Sequence, residues 1–151
     1  MSTPLVREAT AGDLPRLVEL LAQLSPDDPS REDPSRMAIY SASFAVVEAD
    51  ANYHLLVLEA DGGIKGTLAL IVTQNLSHRG SPFAIIENVV VDEEDRGKKY
   101  GETLIRHAIG LAREHGCYKV SLTSNKRRTD AHRFYERLGF KRTHEAFRLD
   151  L

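Results

Sequence analysis

Glu87 lies inside the most apolar run of the chain, Phe83-Ala84-Ile85-Ile86-Glu87-Asn88-Val89-Val90-Val91. A carboxylate there needs a partner or a task, because burying it unpaired is costly. It could take a proton, directly or through water, or bind an ammonium group. An ion pair with a basic side chain of a neighbouring strand is the structural alternative. The next segment, Asp92 to Lys99, is charged and runs into Tyr100-Gly101-Glu102-Thr103-Leu104. Gly97 and Gly101 let the backbone approach an anion closely and allow positive φ. Arg96, Lys98 and Lys99 add charge beside the start of a helix, whose unpaired N–H groups attract phosphate. This is a pyrophosphate cradle in physical terms, and a solvated turn is the plainer reading of the same residues. It is neither a P-loop, since no Gly-Lys-Ser/Thr ends it, nor the dinucleotide fingerprint, whose glycine spacing differs.

The elements that must position these groups follow from periodicity. Leu5 to Arg7 reads as a short first strand. Thr10 and Asp13 form a capping-box-like start for a helix carrying Leu14, Leu17, Val18, Leu21 and Leu24. The Pro-rich stretch from Ser25 to Pro34 is a loop, and a second helix spans about Ser35 to Glu48. Strands over His54 to Ala60 and Ile64 to Thr73, around Asp61-Gly62-Gly63, make a β-hairpin. Phe83 to Val91 then reads as a central strand buried on both faces. A long helix covers Tyr100 to Glu114, a strand Tyr118 to Thr123, a short helix Asp130 to Leu138, and one or two final strands Phe140 to Leu149. The strand–helix–strand unit from Phe83 to Thr123 places its strands parallel. The expected class is therefore α/β with a mixed sheet, in one domain over residues 1–151.

Composition narrows the function. Lys and Arg total 20 against 22 Asp and Glu, giving a formal charge of −2. A nucleic-acid partner is not expected without a basic excess, and no run reaches the ~18 apolar residues of a membrane span. The single cysteine, Cys117, excludes an internal disulfide. With no signal-peptide core between Met1 and Arg7, the chain reads as cytoplasmic. No histidine pair has metal-ligand spacing, so no metal is expected.

Two motifs in order carry a family resemblance. Val91 to Leu104 resembles motif A of the GNAT superfamily of acetyl-CoA-dependent N-acyltransferases, with Arg96 and Gly101 at the ends of Arg-x-x-Gly-x-Gly and Lys99 in place of the first motif glycine. Asn125 and Ala131-His132-Arg133-Phe134-Tyr135-Glu136-Arg137-Leu138-Gly139-Phe140 resemble motif B. The resemblance implies a mostly antiparallel sheet of six to seven strands with a central parallel pair and about four helices. It implies acetyl-CoA as cofactor, with its pantetheine arm bonded to the backbone of Val89 and Val91. The pyrophosphate would lie on N–H groups from Arg96 through Gly97, Lys98, Lys99, Tyr100 and Gly101 to Glu102, and Asn125 and Phe134 would touch the cofactor. The N–H of Val89 or Val90 would stabilise the oxyanion. Tyr135 matches the tyrosine that protonates the departing thiolate, and a packed aromatic is its plainer role. Glu87 matches a glutamate of aminosugar acetyltransferases. The run Asn125 to Tyr135, with Lys126, Arg127, Arg128 and Arg133, resembles aminoalkylphosphonate N-acetyltransferases, which makes a small anionic amine the expected acceptor. A protein lysine or N-terminus is the alternative acceptor, and a silent acyl-CoA sensor the alternative function. A homodimer is the family default.

Overall fold

The computed structural model describes residues 3–151, which form two compact units divided between residues 121 and 122. The chain order is β1 (Leu5–Glu8), α1 (Leu14–Leu24), α2 (Arg36–Ala49), β2 (Tyr53–Ala60), β3 (Gly63–Thr73), β4 (Phe83–Val91), α3 (Tyr100–Glu114), β5 (Val120–Leu122) and α4 (Thr129–Arg137). The strands form one sheet in the order β1-β2-β3-β4-β5. Pairings β1–β2, β2–β3 and β3–β4 are antiparallel. Tyr118 N–H donates to the Pro82 carbonyl (2.9 Å) and Ala84 N–H to the Lys119 carbonyl (3.0 Å), so both segments advance together and the entry to β5 runs parallel to β4.

The mixed sheet and four helices match the expected class, but among the described residues there are five strands, not six or seven. Phe140 to Leu149 forms no strand. Phe147 and Leu149 are 93% and 85% exposed, and a segment without a neighbouring strand cannot build a ladder. β4 is not central either. It is second from the edge, and only one of its faces is fully covered.

The covered face lies under α3. Leu56, Leu58, Leu68, Leu70, Ala84 and Ile86 are each at most 2% exposed, as are Leu104, Ile105 and Ala108 of α3. Gly66 sets the approach of that helix: a Cβ there would meet Leu104 Cδ1 at 3.0 Å and the Val90 carbonyl at 3.1 Å. On the other face Leu17 and Leu20 of α1 pack with Val57, Ile64 and Val90. The start of α1 is fixed as expected. Thr10 N–H donates to Asp13 Oδ2 (2.8 Å), and Arg7 grips the same carboxylate at 2.7 Å.

Candidate active site

The site starts from an irregularity in β4. Ala69 pairs with Glu87 and Thr67 with Val90, so Leu68 alone faces both Asn88 and Val89. That is a β-bulge, and Asn88 takes φ 55° to make it. Asn tolerates the left-handed region better than most residues. The extra residue breaks the alternation, so Glu87 and Val90 both lie on the α1 side while Asn88 and Val89 leave the regular ladder. The Glu87 carboxylate is exposed rather than buried in its apolar run. Among the described residues it makes no hydrogen bond or ion pair. The neighbouring-strand ion pair considered from sequence is therefore not formed.

Around Glu87 the sheet is partly open. Tyr53 pairs with Ile71, and Ile71 with Ile85, which puts all three on the Glu87 side of the sheet. All are half-buried, whereas Ala84 and Ile86 on the reverse side are buried. Burial, and then the nearby Glu87 charge, raise the Tyr53 phenol above its ordinary pKa. Tyr53 was missed in the sequence, where regular alternation would put Asn88 on the opposite side of the strand from Glu87 unless a bulge intervened. A polar Glu-Asn pair amid β-branched residues was the available signal for the bulge.

At the exit of β4, Asp92 accepts from Glu94 N–H (3.1 Å) and from the Arg16 guanidinium of α1. These contacts, with Arg16 Nε donating to the Ile64 carbonyl (3.0 Å), anchor the loop that follows. Its basic residues do not act alike. Lys98 Nζ donates to Asp95 Oδ1 at 2.7 Å, and Lys65 approaches Asp95 from the other side at 3.6 Å. Arg96 is exposed and unpaired among the described residues. Gly97 takes φ 83°. Lys99, where the motif has glycine, takes φ 64°, ψ 20°, the backbone conformation a glycine would supply. The first helical bond is Thr103 N–H to the Lys99 carbonyl (3.1 Å), so the N–H groups of Tyr100, Gly101 and Glu102 point out of the helix start without helical acceptors. The Tyr100 side chain is buried and leaves only its backbone to the cradle. Glu102 is drawn aside by Arg106 at 2.9 Å. A Cβ at Gly97 would meet nothing within 4 Å, so there is room over the turn for a phosphate group. The bulge and this cradle thus both fit the acyl-CoA chemistry that the motifs imply.

The second unit holds the motif B residues. Asn125 Oδ1 accepts from Arg127 N–H (3.0 Å) and its carbonyl from Arg128 N–H (2.9 Å), and among the described residues its side-chain amide N–H groups have no acceptor. His132 Nε2 lies 2.9 Å from the same carbonyl and so braces the entry to α4. Tyr135 packs edge-on against Phe134 (5.2 Å) and Phe140 (6.0 Å). Burial raises its pKa, an effect that the charge of Arg128 only partly offsets. Among the described residues its hydroxyl makes no hydrogen bond. It can therefore donate one to an incoming group. Among the described residues no three of His, Cys, Asp and Glu gather as a metal-binding group, and no helix is long and apolar enough to cross a membrane.

A mixed sheet with a bulged strand, followed by a basic turn at a helix start, fits the class of acyl-CoA-dependent transferases. Residues 15–140 match the model of the acetyltransferase (GNAT) family. The chain is 32% identical over 148 residues to a glucosamine 6-phosphate N-acetyltransferase of Trypanosoma brucei brucei, covering 97% of this chain and 95% of that one. It is 30% identical over 142 residues to an aminoalkylphosphonate N-acetyltransferase of Salmonella typhimurium, covering 94% and 88%. A solved Trypanosoma brucei acetyltransferase overlays with a TM-score of 0.82 at 30% identity, over 99% of this chain and 100% of that one. A Bacillus halodurans structure described as a transcriptional regulator overlays with a TM-score of 0.88 at 37% identity, over 99% and 100%. The chain belongs to the acetyltransferase (GNAT) family and is an acetyl-CoA-dependent N-acetyltransferase that acts on a primary amine.

Proposed function

We propose that this enzyme acetylates a small primary amine bearing a phosphate or phosphonate group. The observation that carries this reading is the pair of relatives above: each matches over 94% or more of this chain, and the named substrates of both join an amine to such an anion. Acetyl-CoA supplies the acetyl group as a reactive thioester. On this reading the N–H groups from Gly97 to Glu102 hold the pyrophosphate, Arg96 adds unpaired charge, and Lys98 acts mainly through its backbone because Asp95 holds its ammonium. Val89 and Val91 hold the pantetheine arm, and Asn125 and Phe134 complete the cofactor's surroundings. The bulge frees an N–H at Val89 or Val90 to stabilise the oxyanion of the transition state.

An amine is protonated near neutral pH and must lose a proton before it attacks. Glu87, unpaired and exposed beside the bulge, removes that proton directly or through water. Tyr135, whose pKa is raised, keeps its proton at neutral pH and gives it to the leaving thiolate. Residues 1–151 work as one catalytic domain, in the cytoplasm and as a homodimer. Purified protein, acetyl-CoA and a panel of amines test the reading by release of free thiol. Fastest turnover with small phosphorylated or phosphonate amines is expected. Turnover confined to peptide lysines or N-termini, or tight CoA binding with no turnover, would overturn it.

A further inference from the structure

The β3–β4 loop contains a turn that backbone sterics disfavour. His78, Arg79 and Gly80 take φ 51°, 62° and 76°, three successive left-handed residues of which only the last is glycine. A left-handed backbone brings Cβ against the next carbonyl oxygen, so other residues adopt it at a cost and keep it where the surroundings enforce it. Local bonds close the turn: Gly80 N–H donates to the Ser77 carbonyl (3.0 Å) and Ser81 N–H to the His78 carbonyl (3.1 Å). The Asn75 side-chain amide donates to Ser77 Oγ (3.0 Å), which lies 3.0 Å from His78 Nδ1. The tie from the turn to the rest of the fold is aromatic. The His78 ring lies on the Tyr118 ring, with centroids 3.9 Å apart and planes 11° from parallel. Tyr118 is itself fixed, since its N–H donates to the Pro82 carbonyl just ahead of β4 (2.9 Å). The Lys119 ammonium stands 5.6 Å from the Tyr118 ring centroid and 5.4 Å from that of Phe83.

This pile of side chains, from His78 through Tyr118 and Lys119 to Phe83, borders the strip of β4 that leads to Glu87. Phe83, Ile85 and Glu87 alternate onto one side of the strand, and Phe83 is the end farther from the bulge and the cradle. A connection that only joins two strands can use unstrained turn types. Non-glycine residues held left-handed by their surroundings gather at ligand clamps and active sites. We propose that His78 and Tyr118 are positioning residues for the amine acceptor: their stack holds the β3–β4 turn as one wall of the acceptor's approach to Glu87. The inference rests on the proposed function for the placing of the acceptor ahead of the bulge.

The test joins proteolysis to kinetics, both on the full chain. Trypsin needs an extended segment, so the rate of its cut after Arg79, followed by mass spectrometry, reads how often the turn opens. His78→Leu and Tyr118→Leu should each speed that cut by about tenfold. The double replacement should add little, because both changes remove the same stack. His78→Phe, which keeps a ring, should stay near wild type. Kinetics use acetyl-CoA with glucosamine 6-phosphate, 2-aminoethylphosphonate and a lysine peptide as probe acceptors. His78→Leu should raise KM for the fastest of these by about fivefold or more. It should leave kcat and KM for acetyl-CoA within about twofold, and His78→Phe should restore the acceptor KM. If the leucine variants are cut no faster than wild type, the stack does not hold the turn and the inference falls. If the turn opens but the acceptor KM is unmoved, or KM for acetyl-CoA moves with it, the turn is not an acceptor wall; the proposed function stands in either case. If wild type acetylates the peptide alone, the small-amine reading falls and the wall is judged on the peptide KM. If wild type acetylates none of the three, both fall.

Discussion

Arg16 of α1 donates to the carboxylate of Asp92, the first residue after β4, and so ties the helix to the turn that forms the cradle. Asp92 is only 7% exposed, so removing its partner leaves a nearly buried carboxylate with too few donors. Arg16→Ala should cost about 1–3 kcal/mol. It should also raise KM for acetyl-CoA several-fold, because Asp92 positions Glu94 and the loop beyond it. Urea unfolding and acetyl-CoA titration measure the two effects; wild-type values in both would show that the tie is dispensable.

Tyr135→Phe should lower kcat at least tenfold, an order of magnitude being a modest loss for a general acid. The sign of the pH effect follows from burial. A phenol whose pKa is raised stays protonated longer, so the alkaline limb of the wild-type kcat profile should lie above pH 10, the ordinary value. That limb should be absent in the Phe variant. An unchanged kcat, with chemistry shown to be rate-limiting, would remove Tyr135 from proton transfer.

Two substitutions in the turn should act on different properties. Gly101→Glu adds bulk and negative charge at the helix start, and calorimetry should show CoA affinity at least tenfold weaker. Lys99→Gly relieves a left-handed lysine and should stabilise the fold by about 0.5–1 kcal/mol, read as a higher melting temperature. Its CoA affinity should stay near wild type, because the backbone already has the conformation that the phosphate needs.

The Arg7 guanidinium holds the Asp13 carboxyl at about 2, below its ordinary 3.8. A depressed carboxylate pKa stabilises the fold fully above the unfolded value and loses its contribution as pH falls through the folded one. The pair should therefore contribute on the order of 1–2 kcal/mol near neutrality, fading between pH of about 4 and about 2. Thermal melts of wild type and Asp13→Asn across that window should converge at the acid end. A constant difference would show that the ion pair does not set the gap.

Local chemistry was the legible part of the fold. Thr10 and Asp13 announced the entry to α1, and Asp61-Gly62 the β2–β3 turn, because each is decided by a few neighbouring atoms. Glycines and basic residues ahead of a helix start marked the turn from Arg96 to Gly101, and family resemblance singled out Tyr135. Long-range choices were hidden. Nothing in Phe140 to Leu149 states whether a partner strand is present, and the one or two strands expected there do not form. The left-handed backbone of Asn88 and Lys99 was equally opaque, since neither is the glycine that usually marks such a conformation.

The kink at Asn88 divides β4 into two stretches with separate duties. On the function proposed above, residues beyond it answer to the shared acyl donor, and residues ahead of it answer to whatever accepts the acyl group. Drift in Phe83, Ile85 or Glu87 can therefore retune acceptor choice without disturbing the donor's grip. One scaffold can in this way diversify among amines while its nucleotide requirement stays fixed.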